Sequence, residues 1–323
     1  MYGMWGKGTA VATAIERDSS LIAGELQRST PRSAGPDSNC DPNDAARRVK
    51  DLQVEVAELH RQQAAIYRSF FEAAQIQRRL CAPRELRRGD FEIAGEIFPV
   101  RHLSGDFFKV IELDAALGVI VGDIAGKGLS AGIWMPHLLS LLHSCALAHR
   151  NPAYAIAQVN RELCTGFGQP PLVAAFFARI DVQNGAVEYC NAGLPPPLIL
   201  QRGGEALRLD EGGPMLGAMS DANYQSGSTR LGPGDTFLAF SDGLTECENA
   251  REEEFETARL LKAAAAFAGA SASQLLFSTL GAVMDFADGR APADDLTLLV
   301  VRRAAPVAGG GAPRNGSPPS ILQ

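Results

Sequence analysis

Eight short apolar runs, each bounded by turn-forming residues, most constrain what this chain can fold into: FEIAGEIFPV, DFFKVIEL, LGVIVGDI, LVAAFFARID, AVEYCNAG, PPPLILQ, DTFLAFSDG and DLTLLVVRR. Runs of this length and composition read as strands. Asn184-Gly185, between two of them, signals a type I′ hairpin, so a good part of the sheet is antiparallel. Two helical patterns follow Gly128, at roughly 130–149 and 152–166, and two more fill 255–289. Strands, then paired helices, then strands again predict an α+β layered fold. Helices pack on the outer faces of antiparallel sheets, and a doubly wound arrangement is disfavoured.

Outside this block the chain is organised differently. Residues 1–41 mix Gly, Ser, Pro and charges without periodicity, and 304–323 are of low complexity, so both ends are expected to be disordered. Asp41-Pro42 or Asn43 is placed to cap a helix running over 42–82 to Pro83. Within it Val49, Leu52, Val56, Leu59, Gln63, Ile66, Phe70 and Ala73 alternate steps of three and four, the seam of a left-handed coiled coil. Such a helix either zips to a second copy, giving a parallel homodimer, or lies on its own domain.

Composition excludes several classes. With 30 Lys plus Arg against 37 Asp plus Glu, the net charge of -7 disfavours a nucleic-acid partner. The six cysteines are scattered without zinc or disulfide spacing and read as buried thiols. TAVATAI, near the N-terminus, is too short for a signal core or a membrane span. A soluble cytoplasmic protein without a membrane partner is expected.

The stretch VGDIAGKGLSAG, residues 121–132, admits three chemistries. GLSAG fits a serine-hydrolase elbow, but the base histidine of such a triad follows the serine and the acid. The last histidine is His149, and residues 150–323 contain none, so Ser130 reads as a first-turn helix residue. A phosphate loop fails on spacing, since Gly122 and Gly126 enclose three residues and Gly128 stands where a hydroxyl is needed. A metal site requires acidic oxygens delivered from separate strand ends. Asp106 precedes a strand, Asp123 and Asp242 end two others, and Asp294 and Asp295 start the last. Any one of these is an ordinary turn aspartate; together they describe a site. Carboxylates without thiols or imidazoles favour Mg²⁺ or Mn²⁺. Two such ions, about 3.5–4 Å apart, suit in-line attack of water on a phosphoryl group.

SGDFF, VGDIAGKGLSAG, AFFARID, NAG followed by PPP, PGDTFLAFSDGLTE and ADDLTLLVVR, in this order, closely resemble the PPM (protein phosphatase 2C-like) family. The branch is that of the bacterial stage II sporulation and sigma-factor-regulating phosphatases. AAQIQRRLCAP also resembles the linker that joins a regulatory coiled coil to this domain. The resemblance, over residues 90–303, implies an α-β-β-α sandwich of two antiparallel sheets, two Mn²⁺ or Mg²⁺ ions, and hydrolysis of phosphoserine or phosphothreonine. Its usual substrates are anti-anti-sigma-type proteins of partner-switching pathways.

Carried over residue by residue, Asp123 resembles the aspartate that bridges both metals, with the Ile124 carbonyl as companion. Asp106 resembles an outer ligand, acting directly or through water, and Asp242 and Asp294 the remaining metal aspartates. Asp295 stands next to the ligand set, where it would orient the others. Lys127, in the GKG before the first helix, either contacts phosphate or caps the helix. Lys109 and Leu194 depart from the family's pattern, and His102 reads either as an acid for the leaving alkoxide or as a packing residue. The expectation is a metal-dependent protein serine/threonine phosphatase; the alternative is a phosphatase-shaped scaffold that binds a phosphoprotein or a switch kinase without turnover.

Overall fold

The computed structural model describes residues 42–81, 85–100, 103–126, 128–166 and 169–305. The chain divides after Gln63 into two units. Helix α1, Pro42–Leu80, supplies the described part of the first. There the seam positions Val49, Leu52, Val56 and Leu59 are 48–59% exposed. In the second unit the same helix behaves otherwise: Phe70 and Ala73 are half-buried and Gln77 is buried. Its last turns therefore lie on their own domain. Of the expected disordered ends, only Ala304 and Ala305 fall within the described residues, and the Ala304 amide donates to the Asp90 carbonyl at 2.7 Å. Residues 1–41, Lys127 and His102 lie outside them.

The second unit continues with strands β1 (Glu85–Arg88), β2 (Phe91–Phe98), β3 (Phe107–Leu113) and β4 (Ala116–Ile124), then helices α2 (Leu129–Ala148) and α3 (Pro152–Gly166). Strands β5 (Val173–Asp181), β6 (Ala186–Ala192), β7 (Leu198–Leu200), β8 (Ala206–Arg208), β9 (Gly212–Gly213), β10 (Gly227–Arg230) and β11 (Thr236–Phe240) follow. Helices α4 (Asp242–Thr245), α5 (Glu256–Ala265) and α6 (Ala272–Ala287) precede the last strand, β12 (Leu296–Arg303). One sheet has the order β1-β2-β12-β11-β7-β8, the other β10-β6-β5-β4-β3. These ladders are antiparallel; a two-residue parallel pairing of β9 with β6 departs from the expected pattern.

Three cores stack through the molecule, which is why the strands read as continuous apolar runs. In β4, Ile120 and Ile124 join the core under α2 and α3, while Leu117, Val119 and Val121 face the opposite sheet. In β12, Leu299 and Val301 enter that inter-sheet core, while Leu298 and Val300 pack under α5 and α6. A strand with helices on one face and a sheet on the other has no wet side, so alternation disappears. The expected α-β-β-α sandwich is present. Helix α2 is long and apolar enough to cross a membrane by length and composition alone. Its buried residues, Met135, Leu138 and Leu142 among them, cover the second sheet.

The Asn184-Gly185 hairpin joins β5 to β6, but its turn is not type I′. That type needs positive φ at both central residues, and here Gly185 has φ 76° while Asn184 does not. The Asp181 carboxylate accepts the amides of Gln183 and Asn184 at 2.8 and 2.9 Å. This side-chain cap winds a longer loop than the dipeptide suggests.

Candidate metal centre

Strand pairing gathers the candidate aspartates two by two. In one sheet β3 pairs with β4, Phe107 opposite Gly122, so Asp106 and Asp123 meet. In the other β11 pairs with β12, Phe240 opposite Leu298, so Asp242 comes beside Asp294 and Asp295. The two pairs are then stitched across the sheets: the Thr297 hydroxyl donates to Asp106 Oδ2 at 2.5 Å, and the Ser104 hydroxyl donates to Asp295 Oδ2 at 2.7 Å.

Two glycines permit this closeness. A Cβ on Gly105 would stand 2.9 Å from the Ile124 carbonyl oxygen, so only glycine lets the Asp106 segment lie against the end of β4. A Cβ on Gly243 would stand 2.3 Å from the Asp295 carbonyl, which forces the same choice after Asp242.

Asp106 is 3% exposed and close enough to Asp123 for a hydrogen bond between their carboxyl groups. Burial, and then the negative charge of Asp123, hold Asp106 well above the ordinary carboxylate range, against the hydrogen bonds of Thr297 and Ser241. Asp123 is pushed up to about 6, by burial first and then by Asp242, with Asp294 and Asp295 adding to the effect. Two carboxyls forced together share a proton when no cation compensates them.

Asp295 has another task. Its Oδ1 accepts the Val100 amide at 2.8 Å, and its Oδ2 accepts the Gly105 amide at 3.0 Å beside the Ser104 hydroxyl. It ties down the segment that leads into Asp106. The Ser104 hydroxyl in turn accepts the Asp106 amide at 3.0 Å. Asp242 Oδ1 accepts the Gly243 amide at 2.7 Å at the start of α4, and Asp294 Oδ1 the Asp295 amide at 2.9 Å in the bend before β12, which fixes both side chains.

Among the described residues, no three acidic, histidine or cysteine side chains form a ready-made cage for one ion. The aspartates surround a common region at longer range. Their donor set fits a hard divalent cation that keeps several of its waters, as Mg²⁺ does, and not a metal enclosed by protein alone. The negative charge crowded around Asp106 and Asp123 is of the kind a divalent cation would offset.

Glu246 escaped the sequence reading. It lies four residues after Asp242, its amide donates to the Asp242 carbonyl at 2.8 Å, and burial followed by Asp242, Glu254 and Asp294 raises its carboxyl. Its spacing in SDGLTE was the available signal. Gln77 was missed too. Its Nε2 donates to the carbonyls of Ser104 at 3.3 Å and Gly132 at 3.2 Å, and its Oε1 accepts the Ser104 amide at 3.2 Å. Pro136 explains the second bond: without an N–H it leaves the Gly132 carbonyl, four residues earlier in α2, unsatisfied.

Residues 114–304, more than half of the 323-residue chain, match the family model described as stage II sporulation protein E (SpoIIE). The chain belongs to the SpoIIE family. Its SpoIIE-type domain has the PP2C phosphatase fold. Protein IcfG of Synechocystis is 28% identical over 233 residues, covering 64% of this chain and 37% of that protein. Phosphoserine phosphatase RsbU of Bacillus subtilis is 24% identical over 234 residues, covering 72% of this chain and 69% of RsbU. The chain thus spans little more than a third of IcfG. The SiaA-PP2C domain of Pseudomonas aeruginosa superposes with a TM-score of 0.65 at 19% identity, covering 75% of this chain and 98% of that one, a likeness of fold.

Proposed function

We propose that this chain is a Mn²⁺- or Mg²⁺-dependent protein serine/threonine phosphatase that dephosphorylates phosphoserine or phosphothreonine on a regulatory protein of the anti-anti-sigma type. The observation that carries this reading is the meeting of buried Asp106 with half-buried Asp123 at the paired ends of β3 and β4, bordered by Asp242 and Asp294. Cations among these carboxyls would offset the charge that protonation otherwise relieves. The relatives' activity supports it: RsbU is a phosphoserine phosphatase.

In this reading Asp123, the Ile124 carbonyl, Asp106, Asp242 and Asp294 would together hold the divalent ions. Bound divalent ions supply Lewis acidity to a phosphoryl group and to the attacking water. The protein's own part is positional. Asp295 holds Val100, Ser104 and Gly105, Thr297 and Ser241 orient Asp106, and bound cations would displace a proton held between Asp106 and Asp123. Lys127 is assigned to the substrate phosphate or the helix start. The exposed N-terminal part of helix 42–82, ahead of the last turns that lie on their own domain, acts as a coiled coil that dimerises the cytoplasmic enzyme, followed by a catalytic domain over 90–303.

Hydrolysis of p-nitrophenyl phosphate with Mn²⁺, with EDTA, and by the Asp123→Asn variant tests the chemistry. Metal-dependent turnover lost in that variant is the expected result. Equal background in all samples would instead establish the scaffold alternative.

A further inference from the structure

A cavity of about 80 Å³, partly open to solvent, lies between the end of α1 and the segment carrying Asp106. Its helix wall is Ala74 and Cys81, and its opposite wall Ile97, Phe108 and Met135, with Asp106 at one side. We propose that this cavity is a regulatory binding site for a small uncharged apolar molecule of roughly three heavy atoms, whose occupancy fixes the last turns of α1 onto the Ser104–Asp106 segment. The regulatory half of this inference rests on the reading of Asp106 as part of the catalytic centre.

The lining sets the ligand's chemistry. The polar side chains around the cavity are committed elsewhere: the Gln77 amide to Ser104 and Gly132, the Arg78 guanidinium to Glu96 at 2.8 Å, and Asp106 to Thr297. A trapped water needs two to four polar partners, and the surfaces facing the space are mainly aliphatic, aromatic and sulfur. Apolar contents are favoured. The volume sets the size, being roughly half that of an engineered apolar cavity of about 150 Å³ that takes up benzene or xenon. Met135, with its flexible thioether, can adapt to different shapes.

The location sets the consequence. One wall belongs to the helix and the other to the catalytic layers, so the cavity exists only while the helix is docked. A ligand that binds there binds only the docked state and must shift the population toward it. The Ser104 amide and carbonyl, which Gln77 holds, are two residues from Asp106, so docking is transmitted to the aspartate's position.

Xenon is a suitable probe. The full chain is equilibrated with pressurised xenon, and binding is followed by the ¹²⁹Xe chemical shift, by Tm, and by the Mn²⁺ concentration giving half-maximal p-nitrophenyl phosphate turnover. A saturable ¹²⁹Xe shift, a Tm rise of about 2–4 °C, and a two- to fivefold lower half-saturating Mn²⁺ are expected. Ala74→Leu, which adds three carbon atoms to the helix wall, should abolish the saturable shift, and the smaller Ala74→Val should weaken it. A xenon response of equal size in wild type and both variants, or no saturable shift in wild type, overturns the proposal. Saturable binding without turnover in any sample would leave the cavity standing and remove the phosphatase reading. Turnover without xenon binding would do the reverse.

Discussion

Replacing Gln77 by methionine tests how the linker helix is joined to the metal centre. The substitution keeps the length and volume of a side chain that is 8% exposed while removing its amide. Three hydrogen bonds are lost, to the Ser104 carbonyl, the Ser104 amide and the Gly132 carbonyl. At a net ~1 kcal/mol each, the cost is about 3 kcal/mol, which for a domain of this size lowers Tm by about 6–12 °C. Pro136→Ala changes that sum in a defined way. Residue 136 then has an N–H for the Gly132 carbonyl, so in this background Gln77→Met removes only two needed bonds and costs about 2 kcal/mol. The coupling between the two sites is therefore about 1 kcal/mol. Thermal melts of the full-length wild type, both single variants and the double variant measure it. Equal Tm losses from Gln77→Met in both backgrounds would refute the role given to Pro136, and a loss under about 2 °C would refute the bridge itself. The half-saturating Mn²⁺ concentration should rise with Gln77→Met, because Ser104 no longer holds the Asp106 amide in place.

Three other outcomes are expected. Asp295→Ala strands the Val100 and Gly105 amides and should cost about 3 kcal/mol and roughly 100-fold in phosphatase turnover, while Asp295→Asn, whose amide oxygen still accepts, loses less of both. Asp123 titrates near 6 in the folded chain, above its unfolded value of 3.8, so metal-free protein binds extra protons on folding between those values. Its contribution to stability is full below about pH 4 and lost as pH rises through 6. Tm of EDTA-treated wild type relative to Asp123→Asn should therefore fall between about pH 4 and 6, and saturating Mn²⁺ should reverse that slope. Aspartate at both Leu52 and Leu59, two exposed seam positions, should convert a dimer to a monomer in light scattering, and identical monomer masses before and after would dispose of the coiled coil.

The layered fold was legible because a strand buried on both faces leaves an unbroken apolar run, as in LGVIVGDI and DLTLLVVRR. The aspartates were legible because Asp106, Asp123 and Asp242 each sit beside a glycine at a strand end. What lay beyond sequence was the partnership between distant groups. Nothing in FSDG or SGD shows that Thr297, 191 residues away, donates to Asp106. Gln77 stood unremarked within AAQIQRRLCAP, because its partner is a carbonyl freed by a proline in a different helix. The Asn184-Gly185 turn was misjudged for a local reason: Asp181 supplies acceptors that a dipeptide rule ignores. Phe70 and Ala73 read as continuing the intermolecular seam, yet they face their own domain, since identical spacing serves either surface.

The pairing of β2 with β12, from Phe98 opposite Leu296 to Arg303 opposite Phe91, has a consequence for biosynthesis. The first long strand of the catalytic domain waits for the last one before its sheet can close, and the hydroxyl that steadies Asp106 arrives on that final strand. A nascent polypeptide that has not yet produced β12 therefore has Asp106 and Asp123 in register on the β3–β4 pair but lacks the Thr297 hydroxyl that steadies Asp106. Catalytic competence should switch on abruptly once β12 has been synthesised, and a message truncated before codon 296 should yield a product with no residual turnover.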